Sequence, residues 1–202
     1  MSTTAQKKLL DSAHELFLKY GVKSVSMDDI ARLLGISKKT IYNLVKNKKG
    51  LVHSVVSAHI EKEEQFINDI AEKSQNALDE MISIARHVQS ILKSMKPSLT
   101  YDLKKYHPET WELIDKDHFK FIENHIQRNL VRGIEEGLYI KEIRTDIIPK
   151  LFVNISRVVA EGDFSQNTLL SQSEIYESAI LYHLNGIMNN AGRKQLQKYL
   201  SK

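Results

Sequence analysis

Two short helical segments separated by one glycine place the strongest constraint on how this chain can fold. The stretch SMDDIARLLGISKKTIY, residues 26–42, has a helix start at Ser26, a stop at Gly35 and a second start at Ser37. Serine side chains cap helix N-termini, and glycine adopts the positive φ angle of a tight turn without strain. The sequence therefore predicts a first helix that ends near Leu34 and a second that follows almost directly.

The apolar residues of this stretch have the spacing of a helix-turn-helix. Ala31 is small enough to let the two helices approach closely, and Ile41, with Leu44 or Val45, forms the inner face of the second helix. A stripe this narrow is wide enough only to dock a two-turn helix on its partners. The other side chains of that helix are left to face outward.

Helical spacing of apolar residues continues through the rest of the chain. With only 8 Gly and 3 Pro, few positions interrupt a helix, and no segment alternates with the period of a strand. The polar stretch at residues 162–173 is predicted to be a loop. The fold class is therefore predicted to be all-α, with roughly nine helices and with the helix-turn-helix in an N-terminal group of three. The predicted segments outside residues 26–45 are 6–20, 47–70, 77–95, 98–106, 108–137, 146–159 and 171–190.

The charge is distributed unevenly along the chain. Residues 1–50 carry ten Lys and Arg against four Asp and Glu, whereas the whole chain has a formal net charge of only +4. A basic front on a slightly acidic body indicates that the front meets a polyanion, although a solvated lysine-rich surface would have the same composition. We divide the chain into a DNA-binding domain, residues 1–47, and a helical regulatory and dimerization domain, residues 48–202.

The outer side of the second helix carries the candidate DNA contacts. A recognition helix enters the major groove with its N-terminal residues leading. Lysine can bind phosphate or the acceptors of guanine, asparagine can pair with adenine, and hydroxyl groups suit phosphate. A lysine at the start of the following helix would add to the attraction of the helix dipole for phosphate. The candidate DNA-binding residues are Ser26, Ser37, Lys38, Lys39, Thr40, Tyr42, Asn43 and Lys48.

Residues 6–52 resemble the N-terminal domain of the TetR family of bacterial transcriptional regulators. The matching features are LF at 16–17, Gly21, SMDDIA at 26–31, GISKKTIY at 35–42, and Lys48 with Leu51. Family members usually have phenylalanine three residues after the motif tyrosine, where this chain has Val45. The resemblance implies a sequence-specific regulator, with double-stranded DNA as its partner, that acts as a ligand-responsive repressor on a pseudo-palindromic operator.

One helix-turn-helix makes few contacts, so a two-fold dimer is expected, as the resemblance also implies. Apolar and small residues on the last two long helices would form an intersubunit four-helix bundle, although the same residues could pack only within their own subunit. The candidate dimer-interface residues are Leu151, Ile155, Val158, Val159, Ile175, Ala179, Tyr182, His183, Gly186 and Ile187.

The resemblance places a ligand pocket in the middle helices. Aromatic side chains with polar tips would suit a small apolar or amphipathic effector, although such a stripe is more often plain core. Metal binding by His118 and His125 is weakly signalled, so neither a metal nor another cofactor is expected. The candidate ligand-binding residues are Tyr101, Tyr106, Trp111, His118, Phe121 and His125.

Several classes of protein lack support in the sequence. No P-loop, Gly-rich dinucleotide turn, GxSxG elbow or HExxH motif is present, so we predict that the chain is not an enzyme. The sequence has 0 Cys, no run of 18 apolar residues and no apolar signal core at the start, so we expect a cytoplasmic protein that does not enter a membrane. The alternative function is that of a helical adaptor that retains this fold but acts through protein contacts.

Overall fold

A computed structural model describes residues 3–162 and 169–200 of the chain. The described residues form α-helices, one short π-helical segment and an isolated antiparallel β-bridge between Tyr139 and Met188. The predicted all-α fold is therefore confirmed. Within the stretch predicted as a loop, residues 163–168 lie outside the described residues.

The described helices number eleven, two more than the sequence suggests. Their bounds, in chain order, are α1 Thr3–Tyr20, α2 Met27–Leu34, α3 Lys38–Tyr42, α4 Lys48–Lys73, α5 Ala77–Ser94, α6 Ser98–Tyr106, α7 Pro108–Glu112, α8 Phe119–Glu135, α9 Ile148–Glu161, α10 Gln172–Ile187 and α11 Asn190–Leu200.

Packing divides the chain into two compact units. Unit 1 comprises Met1–Glu64 with Ser94–His118, and unit 2 comprises Gln65–Lys93 with Phe119–Lys202. Residues of α4 therefore belong to both units. The predicted boundary between residues 47 and 48 separates functions rather than packing units, and it stays a prediction.

Unit 1 has an apolar core built from helix faces with the spacing expected of α-helices. Leu9, Ala13 and Phe17 of α1 are buried, with Ile30 of α2 and Ile41 of α3 fully enclosed among them. Complete burial of one such aliphatic side chain contributes about 1.5–3 kcal/mol. The core thus fixes α2 and α3, which are too short to be stable alone.

The long helix predicted from Pro108 to Gly137 is helical as far as Glu135, but its hydrogen-bonding pattern changes within the run. After α7, residues Leu113–His118 form a π-helical segment, and α8 begins at Phe119. A π-helical turn spans i→i+5 hydrogen bonds and so holds more residues than an α-helical turn. Side chains before and after the segment therefore do not follow one α-helical stripe.

The last predicted helix, residues 171–190, corresponds to α10, and it is followed by a further helix that the sequence did not predict. α10 ends at Ile187, Met188 is extended with φ −77° and ψ 140°, and α11 follows. The Asn189 side chain accepts hydrogen bonds from the backbone N–H groups of Ala191 at 2.9 Å and Gly192 at 3.1 Å. This asparagine cap starts a new helix where periodicity alone suggests only an end.

Within unit 2, α8 holds the connection between α4 and α5. The Arg132 guanidinium donates to the carbonyls of Ala71 at 3.2 Å and Ser74 at 2.9 Å, at the end of α4. The Glu136 carboxylate accepts the N–H of Ala77 at 2.7 Å, at the start of α5. Each charge has the sign that stabilises the helix end it contacts, so Arg132 in the last turn of α8 and Glu136 directly after it satisfy both ends.

A close approach to Gly133 fixes the segment after α8. The ring of Tyr139 lies against Gly133, and its hydroxyl donates to Asn129 Oδ1 at 3.1 Å. The Asn129 amide in turn donates to the Ala77 carbonyl at 2.9 Å. Because Tyr139 is fully buried, the position opposite its ring has room only for glycine.

We predict that Gly133→Ala destabilises the protein by about 1–3 kcal/mol, in the range of overpacked cores. The added Cβ would lie 2.1 Å from Tyr139 Cδ2, so the buried ring would have to move. Gly50→Ala is the matched control, because a Cβ there would lie 3.6 Å from its nearest neighbour, Asn47 Oδ1. The free energy of unfolding is measured by denaturant titration. Equal stability of the two variants would contradict the close contact.

Candidate nucleic-acid interface

The two serine caps and the glycine stop predicted around α2 and α3 are present in the structure. Ser26 and Asp29 form a reciprocal capping box at the start of α2. Gly35 ends that helix in the left-handed conformation, with φ 64°, and its N–H donates to carbonyls of the last turn. Ser37 caps α3 by accepting the N–H of Thr40 at 3.1 Å. The local sequence therefore sets the entry and exit of both helices.

The burial of Ile41 decides which side chains α3 presents to solvent. Ile41 has no exposed surface, whereas Lys38, Lys39, Tyr42 and Asn43 are exposed. Asn43 follows the last residue of α3 as its C-cap, in a helical conformation. These four predicted contacts thus lie together along the outer side and the end of one helix.

Three of the four predicted hydroxyl contacts already have partners inside unit 1. The Ser26 hydroxyl donates to Asp29 Oδ2 at 2.7 Å, and the hydroxyls of Ser37 and Thr40 are 2.8 Å apart. The hydrogen bonds from Ser26 lower the pKa of Asp29, which keeps this carboxylate ionised. A phosphate oxygen must therefore compete with Asp29 for the Ser26 proton.

Two of the predicted lysines are also engaged within the unit. Lys38 Nζ lies 2.9 Å from Asp28 Oδ2, an ion pair that joins the first turns of α2 and α3. Lys48 Nζ donates to the Val22 carbonyl at 2.6 Å, and partial burial lowers the pKa of this ammonium. Lys48 therefore fixes the α1–α2 connection as well as carrying charge at the start of α4.

Sequence analysis did not identify Asp28 as part of this surface. Its position in the first turn of α2 could have been recognised, because acidic residues there interact favourably with the helix dipole. Its pairing with Lys38 depends on the angle between α2 and α3, which only the three-dimensional structure gives. Lys39, by contrast, forms no ion pair with any described residue.

A second predicted surface lies in unit 2, on α9 and α10. Seven of the ten predicted dimer residues line one open groove of about 750 Å³, and the side chains of Leu151 and Tyr182 are 54% and 77% exposed. Burial lowers the pKa of His183 to about 4, so every residue lining the groove is uncharged at neutral pH. The seven are Leu151, Ile155, Val158, Tyr182, His183, Gly186 and Ile187.

The other three predicted dimer residues are placed differently. Val159 is 1% exposed and so packs within its own unit, and Ile175 and Ala179 are half-buried outside the groove lining. The groove also includes Ile148 and Asn185, which the apolar periodicity did not single out.

The predicted ligand-binding residues are divided between the two units. Tyr101, Tyr106, Trp111 and His118 belong to unit 1, and Phe121 and His125 belong to unit 2. That these residues line one pocket stays a prediction.

Their individual environments also differ. The rings of Tyr101 and Tyr106 are exposed, whereas Trp111 packs against the apolar core of unit 1. His118 Nδ1 lies 3.4 Å from the Glu64 carboxylate, and His125 Nε2 lies 2.9 Å from Glu80.

No group of three or more His, Cys, Asp or Glu side chains in residues 3–162 and 169–200 is arranged to hold a metal ion. Over the same ranges, no helix has the length and hydropathy needed to cross a bilayer.

A capped helix-turn-helix with outward basic and aromatic side chains, in an otherwise helical chain, defines a helix-turn-helix DNA-binding protein. Residues 9–55 match the family model described as bacterial regulatory proteins, tetR family. The N-terminal domain is therefore that of the TetR family, and the chain is a DNA-binding transcriptional regulator of this type rather than an enzyme.

Relatives over nearly the full length agree with this assignment. An uncharacterised HTH-type transcriptional regulator of Bacillus subtilis, YvaF, is 27% identical over 184 residues, which cover 90% of this chain and 94% of YvaF. The HTH-type transcriptional repressor KstR2 of Mycolicibacterium smegmatis is 22% identical over 197 residues, 93% of this chain and 92% of KstR2.

Solved structures share the fold. A protein described as a transcriptional regulator from Saccharomonospora viridis, solved in complex with choline, superposes with a TM-score of 0.72 at 14% identity. The match covers 94% of this chain and 100% of that one.

We predict that Asp28→Asn tightens binding to non-specific DNA about two- to fivefold, the usual range for an exposed ion pair. Without the carboxylate, Lys38 is available to phosphate. In a Lys38→Ala background the gain should disappear. Asp69→Asn, which removes a carboxylate paired with Lys73, is the matched control. Fluorescence anisotropy measures the affinities. A gain that persists without Lys38 would show that Asp28 acts only through general repulsion.

Proposed function

We propose that this regulator is a repressor that binds a pseudo-palindromic operator as a homodimer and leaves it when a small apolar or amphipathic molecule binds. The observation that carries the proposal is the exposure of Lys39, Tyr42 and Asn43 on a helix whose inner face is fully buried. A helix docked in this way presents its outer side chains rigidly to a major groove. Such a regulator would work in the cytoplasm, where the DNA is.

Dimerization is supported by the groove on α9 and α10. An open, uncharged and mostly apolar surface is unusual for a monomer and suits a self-complementary interface. A second copy would cover Leu151 and Tyr182, which are largely exposed in one chain. Two helix-turn-helix units would then read two half-sites about one helical turn or slightly more apart.

Repression and effector release are supported by similarity. KstR2, a relative over nearly the whole chain, is named as a repressor, and the structural neighbour from Saccharomonospora viridis was solved with choline. For this chain we propose an effector that favours one arrangement of the helices of unit 2. Since α4 contributes residues to both units, a shift in its position would change how the recognition helices are spaced. A coupling of about 1–3 kcal/mol would change operator affinity roughly 5–150-fold.

Selection of bound fragments from random duplex DNA tests the proposed function directly. We expect an enriched sequence with two-fold symmetry, whose binding weakens steeply as salt rises, with a log–log slope of about 0.9 for each phosphate neutralised. Enrichment of a single half-site would contradict dimeric binding. Absence of any salt-dependent DNA binding would favour the helical adaptor instead.

Base contacts and phosphate contacts are predicted to respond differently to substitution. Asn43→Ala or Lys39→Ala should change base preference at one or two operator positions, with each altered contact worth about 1–3 kcal/mol. Lys48→Ala should weaken binding to all sequences alike and reduce the salt slope by about 1. Binding is compared on a panel of single-base operator variants.

The Lys48 ammonium also donates a hydrogen bond to the Val22 carbonyl, so Lys48→Ala could weaken binding by destabilising the domain. The thermal unfolding temperature of the variant is therefore measured as a control. If Asn43→Ala and Lys39→Ala instead weaken binding to all sequences equally, those side chains contact the DNA backbone and not the bases.

The groove is predicted to close against a second copy, so Leu151→Glu should give a monomer. A carboxylate buried without a partner at the centre of an apolar interface costs several kcal/mol. Val131→Glu is the matched control, because Val131 is 43% exposed on α8 and does not line the groove. Sedimentation velocity measures the oligomeric state. A Leu151→Glu protein that remains dimeric would move the interface elsewhere.

A further inference from the structure

An exposed cluster of lysine and tyrosine side chains lies on α6 and on the α1–α2 connection of unit 1. We call it the α6 patch and define it as Lys23, Tyr101, Lys105 and Tyr106. Lys105 Nζ donates to the Tyr101 hydroxyl at 2.7 Å and lies 5.2 Å and 5.6 Å from the ring centres of Tyr101 and Tyr106. Lys23 Nζ lies 5.3 Å from the Tyr106 ring centre. The ammonium groups of two lysines thus lie close to the rings of two tyrosines.

The positive charge of this patch is not neutralised within the described part of the chain. Neither Lys23 nor Lys105 forms an ion pair with any described residue, and the rings of Tyr101 and Tyr106 are 55% and 41% exposed. The acidic residue of α6, Asp102, is buried, and its carboxylate accepts the backbone N–H of Lys23 at 3.0 Å. The carboxylate is therefore used to hold the backbone and does not meet the lysine ammonium groups.

Neighbouring lysines extend the same surface. Lys96 Nζ donates to the Tyr20 carbonyl at 3.2 Å, and Lys104 Nζ lies 4.9 Å from the ring centre of Trp111. Hydrogen bonding to Tyr101 raises the pKa of Lys105, so this side chain stays charged at neutral pH. Contact with the tyrosine rings leaves the charges of Lys23 and Lys105 available to an external anion.

The patch adjoins the predicted DNA surface. Lys48, a predicted phosphate contact, donates to the Val22 carbonyl at 2.6 Å, and its ammonium lies 3.5 Å from the carbonyl oxygen of Lys23. The next predicted contact along the chain, Ser26, is three residues after Lys23. The surface of α3 and the start of α4 therefore continues through Lys23 onto α6.

We propose that the α6 patch binds the sugar–phosphate backbone of the duplex that flanks the operator half-site. Lysine supplies the charge, and the Tyr101 hydroxyl, which accepts from Lys105, keeps its own proton to donate to a phosphate oxygen. Contacts of this kind carry no base information, so they extend the footprint without lengthening the recognised sequence. The inference rests on the proposed function, since it needs an operator to flank.

The experiment compares two duplexes that share the selected operator. The short duplex ends at the outermost recognised base pair of each half-site, and the long duplex adds about ten base pairs, roughly one helical turn, of unrelated sequence on each side. Affinity is measured for both over a range of salt concentrations. The test variant is the double substitution Lys23→Ala with Lys105→Ala. The matched control, Lys141→Ala with Lys194→Ala, removes the same charge from exposed lysines of unit 2.

We expect the test variant to bind the long duplex about three- to tenfold more weakly than the unsubstituted protein, with a salt slope smaller by about 1 to 2. Its affinity for the short duplex should change by less than twofold, and the control should leave both affinities within that limit. Because the short duplex reports the helix-turn-helix alone, a retained affinity there also demonstrates that the variant is folded.

Three results would overturn the inference. They are no loss on the long duplex, an equal loss on both duplexes, and a loss that the control reproduces, which would assign the effect to net charge. Failure of the unsubstituted protein to bind the short duplex is a different result, because it rejects the proposed function itself.

Discussion

The burial of the Ile41 side chain holds the entire DNA-reading surface in place. α3 has only five residues, and helices much shorter than about 12 residues are marginal in water. Its stability must therefore come from docking, and Ile41, with no exposed surface, provides the docking contact in the core of unit 1. The Ser37 cap fixes where the helix starts, and the buried isoleucine fixes how it is rotated about its axis. Together they determine that Lys39, Tyr42 and Asn43 face outward.

Much of unit 1 could be predicted because its signals are local. A serine cap, a glycine stop and apolar residues three or four positions apart each act within one helical turn, and Ser26, Gly35 and Ser37 occupy the predicted positions. The departure from the family pattern at Val45 is also accommodated, because Val45 still packs against the core of unit 1. By contrast, the ion pair between Asp28 and Lys38 joins residues ten positions apart on different helices, so its formation depends on tertiary geometry.

The middle of the chain was harder to predict because the hydrophobic pattern assumes one period. The π-helical segment Leu113–His118 breaks the α-helical period between Trp111 and Phe121, which separates an apparent aromatic stripe into parts of two units. On α9 and α10, periodicity correctly finds an apolar face but cannot tell which of its members pack internally. Val159 and Leu151 are both apolar and lie on the same helix, yet one is buried and the other is half exposed. Apolar surface is stabilised equally well by a neighbouring helix or by a second chain.

The formal charge of the basic N-terminal part of the chain overstates the positive charge available to DNA. Lys38 is paired with Asp28, Lys49 with Glu109 and Lys62 with Asp11, so these lysines of unit 1 already have carboxylate partners. A phosphate gains little from a lysine that must first leave a carboxylate, because the exchange replaces one ion pair by another. Lysines without a carboxylate partner among the described residues are more available to phosphate, and they include Lys39 and Lys46 near α3 and Lys23 and Lys105 beside α6. Intramolecular pairing therefore leaves unpaired positive charge at two adjoining places, and we propose that one meets the bases and the other the backbone beside them.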